Sequence, residues 1–276
     1  MESRFRFRTL AALSAALTFV LILLGVYTAA AGAGLTCEAR WPLCDGAVFG
    51  LFPANWGSFI EWFHRLVAMV TGFVILGTTV AAFRRGRSRR VKGALAAATV
   101  ILPAQIVLGA LTVTEYEWLI LTAHFVTATT IFTGVVLAAL WSVDSAVDAD
   151  RVRQATTVAV LVLPVVLAFT PRLFVIYSAG VQVGYYAAAL TAYAALVAAT
   201  VWARRVPGLG RIRPATLGGA SLLFGLLVVG RQVYGETGQL LTVAATLLAF
   251  ALAGAAAWVT RRRSARDRPR GVPGGD

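Results

Sequence analysis

The chain has 276 residues, 59% of them hydrophobic and 13% charged, with a mean hydropathy of +0.78. This balance excludes a water-soluble domain of that length and indicates a polytopic membrane protein. The formal charge of +13 does not indicate nucleic acid: the basic residues lie between apolar segments, where they report topology and meet anionic lipid.

A spanning helix needs about 20 apolar residues. Eight stretches qualify, at roughly 9–33, 59–83, 94–114, 118–141, 154–171, 174–203, 215–234 and 238–260, so the sequence predicts an all-α fold of eight transmembrane helices. Pro164 and Pro171 interrupt the fifth. An even number of spans puts both termini on one side, and Lys and Arg decide which. They occur at Arg4, Arg6 and Arg8, in RRGRSRRVK, at Arg151 and Arg153, in RRVPGLGRIR and in RRRSARDRPR. Only Arg40, Arg65, Arg172 and Arg231 of the 25 basic residues fall elsewhere. Both termini are therefore expected in the cytoplasm of a cell-membrane protein. The first segment carries signal-peptide flanks, but its apolar stretch exceeds the roughly 7–15 residues of a signal core and reads as an uncleaved helix.

VLGALTVTEYEWLILTAHF in the third and fourth helices resembles VVGRQVYGETGQLLTVAATL in the seventh and eighth. The chain thus reads as two pseudo-repeated four-helix bundles, residues 1–143 and 144–276. In this alignment Ala244 occupies the place of His124, and the sixth-helix counterpart of His64 falls at Gly184 and Tyr185.

The sequence contains only two histidines, His64 and His124. Each lies five or six residues inside the outer end of its helix, about 8–10 Å deep at 1.5 Å per residue. The second and fourth helices run parallel, so two imidazoles at matched depth suit axial ligation of a heme iron within a bundle. The alternative is that each histidine only hydrogen-bonds inside the bundle. A bare metal would find a poor ligand set in two histidines. Glu61, one turn outward on the face of His64, is either a partly desolvated proton donor or acceptor, or an interfacial carboxylate that meets water. Arg65 can pair with a heme propionate or with Glu61, or reach the headgroups.

Cys37 and Cys44 lie in the outer loop GLTCEARWPLCDG, where a local bridge is permitted and two unlinked thiols are the alternative. Trp41, Trp56, Trp62 and Trp118 read as an interfacial aromatic belt. Gln105 and Gly109, at i and i+4, share a face where a small residue admits close helix approach and an amide can bond across the bundle. Glu115 and Glu117 read as a solvated turn.

Taken together, GLTCEARWPLCDG, IEWFHRLVAMVTG, AQIVLGALTV and LTAHF resemble, in order and spacing from Gly34 to Phe132, the heme A synthase family of membrane cytochrome oxidase assembly enzymes. The resemblance implies two pseudo-repeated four-helix bundles and oxidation of the heme O methyl group to the formyl group of heme A for an aa3-type oxidase. It implies His64 and His124 as axial ligands of the substrate heme, Glu61 as a participant in the oxidation, and a Cys37–Cys44 disulfide. Full-length members carry a second histidine pair holding a heme b. This chain has none, which leaves Tyr185 or Tyr186 as weaker ligands, a purely structural second half, or an electron donor outside the chain; the structural half is the favoured expectation. The same resemblance makes heme O synthase an expected partner and is compatible with a homo-oligomer. The competing class is a non-catalytic heme-binding or electron-transfer membrane protein.

Overall fold

The computed structural model describes residues 2–42, 44, 47–48, 52–53, 55–115, 117–143, 147–170, 173–176, 178–229 and 236–266. Among them are eight α-helices: α1 (Glu2–Ala30), α2 (Trp56–Arg84), α3 (Arg89–Thr114), α4 (Trp118–Ser142), α5 (Ala149–Ala168), α6 (Ala179–Ala203), α7 (Arg213–Val229) and α8 (Glu236–Arg266). A short 3₁₀ helix, Ala33–Cys37, follows α1, and the pair β1 (Ala47–Val48) and β2 (Phe52–Pro53) forms a small antiparallel hairpin before α2. All the helices except α7 are long and apolar enough to cross a membrane. The described part of α7, 17 residues, spans about 26 Å, and the rest of its expected span, 230–234, lies outside the described residues.

Apolar counting locates the membrane, whereas caps locate the helix. Asn55 accepts a hydrogen bond from the Ser58 amide (2.8 Å), Ser88 from Val91 (3.5 Å), Asp148 from Arg151 (2.9 Å) and Ser178 from Val181 (3.2 Å). These side chains satisfy first-turn donors. They start α2, α3 and α5 three to five residues before the apolar stretches expected at 59, 94 and 154. They also start α6 at Ala179 instead of 174, because Ser178 caps it after a turn at Leu173–Phe174. Gly32, at φ 66°, ends the α1 segment before the 33 expected for it.

Helix contacts form two rings. In one, α1 and α3 each pack against both α2 and α4; in the other, α5 and α7 each pack against both α6 and α8. The rings meet where α6 lies on α1 and α4, and α7 on α4. Helix α6 is the most enclosed span, and buried alanines at 188, 189, 192, 198 and 199 let its neighbours approach closely. Tyr186, Leu190 and Leu196 of α6 and Leu223 and Leu227 of α7 are fully buried.

Hydroxyl pairs tie adjacent helices: Ser14–Thr78 (2.9 Å, α1–α2), Thr79–Thr99 (2.8 Å, α2–α3), Thr200–Thr216 (2.8 Å, α6–α7) and Thr156–Thr260 (3.4 Å, α5–α8). Thr133 and the Tyr193 hydroxyl (2.8 Å) join α4 to α6 across the two rings. Each such bond contributes about 0.6 kcal/mol in a membrane bundle. They align the rings more than they hold them together.

Candidate functional site

Because α1 and α3 both touch α2 and α4, the two histidine-bearing helices stand at opposite corners of the first ring. His64 lies eight residues after Trp56, the first residue of α2, and His124 six after Trp118, the first of α4, or about 12 and 9 Å along their axes. The early start of α2 accounts for the difference from the equal depths that apolar counting predicts.

Each imidazole lies on a glycine of a neighbouring helix. A Cβ built on Gly25 of α1 would be 3.1 Å from His64 Nε2, and one on Gly109 of α3 would be 3.1 Å from His124 Cε1. Any larger residue at either position would displace the ring. The sequence marks Gly109 only as a packing residue and does not single out Gly25; neither glycine can be matched to its histidine without the helix rotations.

Gln105, one turn before Gly109, places its Nε2 3.4 Å from His124 Nε2. Its Oε1 accepts a hydrogen bond from Thr127, which also reaches the Ala123 and His124 carbonyls (2.9 and 3.0 Å). The amide read as a cross-bundle tie therefore meets the histidine itself, and the spacing of four between Gln105 and Gly109 carried that signal. Two imidazoles on opposite corners, each packed against a glycine, are nitrogen ligands of the kind a heme iron takes, whereas two nitrogens alone make a poor set for a compact metal ion.

Glu61 is buried, with 6% of its surface exposed, so it does not simply meet water at the interface. Its Oε1 accepts a hydrogen bond from Arg65 Nε at 2.8 Å, and a Cβ on Gly34 would approach Oε2 to 3.7 Å. Of the three roles open to Arg65, the structure forms the Glu61 pair. The Arg65 side chain is only 16% exposed. Its Nη1 donates to the Pro42 carbonyl (2.9 Å), and both terminal nitrogens reach the Arg40 carbonyl (3.4 Å).

The loop carrying those carbonyls closes over this end of the bundle. Ser58 donates to the Thr36 carbonyl (3.0 Å) and lies 3.1 Å from the Thr36 hydroxyl. Gly57 leaves room for Thr36, whose Cγ2 would be 2.7 Å from any Cβ there. The sulfurs of Cys37 and Cys44 are at bonding distance, 1.95 Å, and pack with Val113 of α3 as a small buried cluster. Trp41, Trp56 and Trp118 are exposed at this end, while Trp62 packs against Phe52 (5.0 Å) and Phe59 (5.7 Å). Glu115 and Glu117 are exposed.

The second ring is filled differently. Gly184 faces Phe169, whose ring atoms would be 2.9 Å from a Cβ there. Tyr185 and Tyr186 are buried with ring centroids 5.3 Å apart, and Tyr186 packs edge-on against Phe125 of α4 (5.2 Å). The Tyr185 hydroxyl has no hydrogen-bond partner among the described residues. Ala244, aligned with His124 by the sequence repeat, is exposed. The buried face of this part of α8 carries Thr246 and Ala249.

A family model described as cytochrome oxidase assembly protein matches residues 55–271, most of the chain and every helix from α2 to α8. The chain belongs to that family. Its similarity to curated relatives is partial. A heme A synthase of Bacillus licheniformis is 33% identical over 127 residues, covering 45% of this chain and 41% of the relative. A heme A synthase of Bacillus pumilus is 29% identical over 140 residues, 50% of this chain and 45% of the relative. A protoheme IX farnesyltransferase of Haloarcula marismortui is 36% identical over 149 residues, 54% of this chain and 31% of the relative. The matched regions thus span less than half the length of each. Membership agrees with the resemblance carried by the histidine and glycine motifs, which lie inside the matched residues, and with a multi-pass membrane protein.

Proposed function

We propose that this protein is a heme A synthase that oxidises the methyl group of heme O to the formyl group of heme A. The observation that carries this reading is a pair of histidines on opposite corners of the first ring, each seated on a glycine, with a buried Glu61 one turn from His64. In this reading His64 and His124 hold the iron of the substrate heme, and the bundle below them keeps water away. Glu61, oriented by Arg65, exchanges protons with the substrate carbon. The heme itself supplies the redox-active iron. Written overall, the methyl group and one water molecule entering from the outer side give the formyl group, four protons and four electrons; the electrons leave to an acceptor outside the chain, because the second half offers no histidine. Residues 1–143 form the active half and 144–276 its apolar buttress, with the Cys37–Cys44 bridge on the outer side and both termini in the cytoplasm. The relative named protoheme IX farnesyltransferase favours a heme O synthase as the source of substrate.

The test is coexpression with a heme O producer, followed by extraction and chromatography of the hemes. Heme A is expected from the wild type; its absence beside a working positive control overturns the proposal. The partial coverage of the relatives favours a second reading, a non-catalytic heme carrier. Glu61→Gln separates the two. The enzyme retains its heme and loses about 100-fold or more of heme A formation, the scale of a lost general acid or base, whereas the carrier shows no heme A with either glutamate or glutamine.

A further inference from the structure

The contacts of Arg65 reach in two directions. Along α2 its Nε holds Glu61 Oε1 (2.8 Å); across the surface its terminal nitrogens hold the carbonyls of Pro42 (2.9 Å) and Arg40 (3.4 Å). Arg40 and Pro42 both lie inside the ring closed by Cys37 and Cys44. The chain just before that ring is already fixed to α2, through the hydrogen bonds from Ser58 to Thr36. Cys44 Sγ lies 3.6 Å from the Ser58 carbonyl, so the bridge returns the far end of the ring to the same turn of α2.

We propose that Arg65 is a positioning residue coupling the Cys37–Cys44 bridge to the Glu61 carboxylate. Closing the ring restricts the segment that carries the two carbonyls. The carbonyls fix the plane of the guanidinium, whose donors point in set directions, and the plane fixes the Nε–H that orients Glu61. The side chains of Arg65 and Glu61 are only 16% and 7% exposed, so water is a poor substitute for either partner. A lysine would keep the charge but could not hold a carboxylate and two carbonyls in one rigid plane. Opening the bridge therefore releases Glu61 without touching either histidine. The functional weight of this coupling rests on Glu61 being the working carboxylate, but the coupling itself does not.

Coupling is reciprocal, so the bridge must register the loss of Arg65. Cys37 and Cys44 are the only cysteines of the chain, and alkylation after quenching therefore reports this bridge alone. The full-length protein in detergent is equilibrated with mixtures of reduced and oxidised dithiothreitol. In the exchange the protein disulfide gains two electrons and two protons, and dithiothreitol closes to its cyclic disulfide. Arg65→Lys is expected to raise the equilibrium constant for reduction about tenfold, some 30 mV for a two-electron couple. Glu61→Gln is expected to raise it several-fold in the wild-type background and to add nothing in Arg65→Lys, because the two act through one link. Glu117→Gln, which removes an exposed charge outside the ring that makes no side-chain cap hydrogen bond, is expected to leave it unchanged. An Arg65→Lys bridge indistinguishable from wild type, or independent effects of Arg65→Lys and Glu61→Gln, overturns the proposal. If Arg65→Lys does not fold, the comparison of Glu61→Gln with Glu117→Gln decides: equal bridges overturn it. No heme and no turnover enter the measurement, so its result stands apart from the outcome of the heme A assay.

Discussion

In the first ring of helices, glycines face imidazoles: Gly25 meets His64 and Gly109 meets His124. In the second, Gly184 meets the phenyl ring of Phe169, and Tyr185 and Tyr186 occupy the neighbouring space. Both rings use the same packing device, a residue without Cβ that lets a planar side chain lie against a helix. Only the chemistry of the plane differs. An imidazole offers a lone pair to a metal and a phenyl ring does not, so under the proposed function only the first ring has residues to ligate a heme iron. The second half also carries the deeper core, with α6 as the most enclosed span and α3 as the least.

The largest expected effect falls on the histidines. His64→Ala or His124→Ala should abolish heme A formation and bound heme at the first-half site, read by absorbance of the purified protein and by heme extraction; retention of a full complement in both variants would erase the distinction between the halves. Gly25→Ala and Gly109→Ala should reduce heme retention about tenfold, since a methyl group 3.1 Å from the imidazole forces it to shift at a cost of about 1–3 kcal/mol. Gly184→Ala meets an even shorter approach, 2.9 Å, and should lower thermal stability by a similar amount while leaving heme per chain unchanged. The smallest effect is expected of Tyr185→Phe. Removing a buried hydroxyl without a partner among the described residues should be neutral or stabilising by about 1 kcal/mol, with the heme count intact. A loss of one heme per chain in that variant would instead make Tyr185 a ligand and the second half a heme site.

Much of the candidate site was legible because its residues are rare. Two histidines in an apolar chain leave no choice among candidates, and Glu61 follows from His64 by helical spacing. The partner of Arg65 was not legible. Glu61, a propionate and the headgroups were all within reach, and the choice depends on a loop that brings the Arg40 and Pro42 carbonyls back over α2. Gln105 was half legible: its face was evident from Gly109, but its contact with His124 depends on how α3 and α4 are rotated. The exposure of Ala244 was not legible either, since one residue of offset turns a helical side chain by about 100° and only packing fixes that angle.

The sequence by itself determined the all-helical membrane class, the positions of the apolar spans and which few residues are candidates for chemistry, because apolar length and rare ionisable groups can be read over a few neighbouring residues. Only the tertiary structure decided which glycine cradles which histidine, that Glu61 is buried and held by Arg65, and that aromatic side chains fill the second ring at Gly184. Those outcomes depend on the rotation of each helix about its axis and on the path of the loop above them, and both are set by packing between segments far apart in the chain.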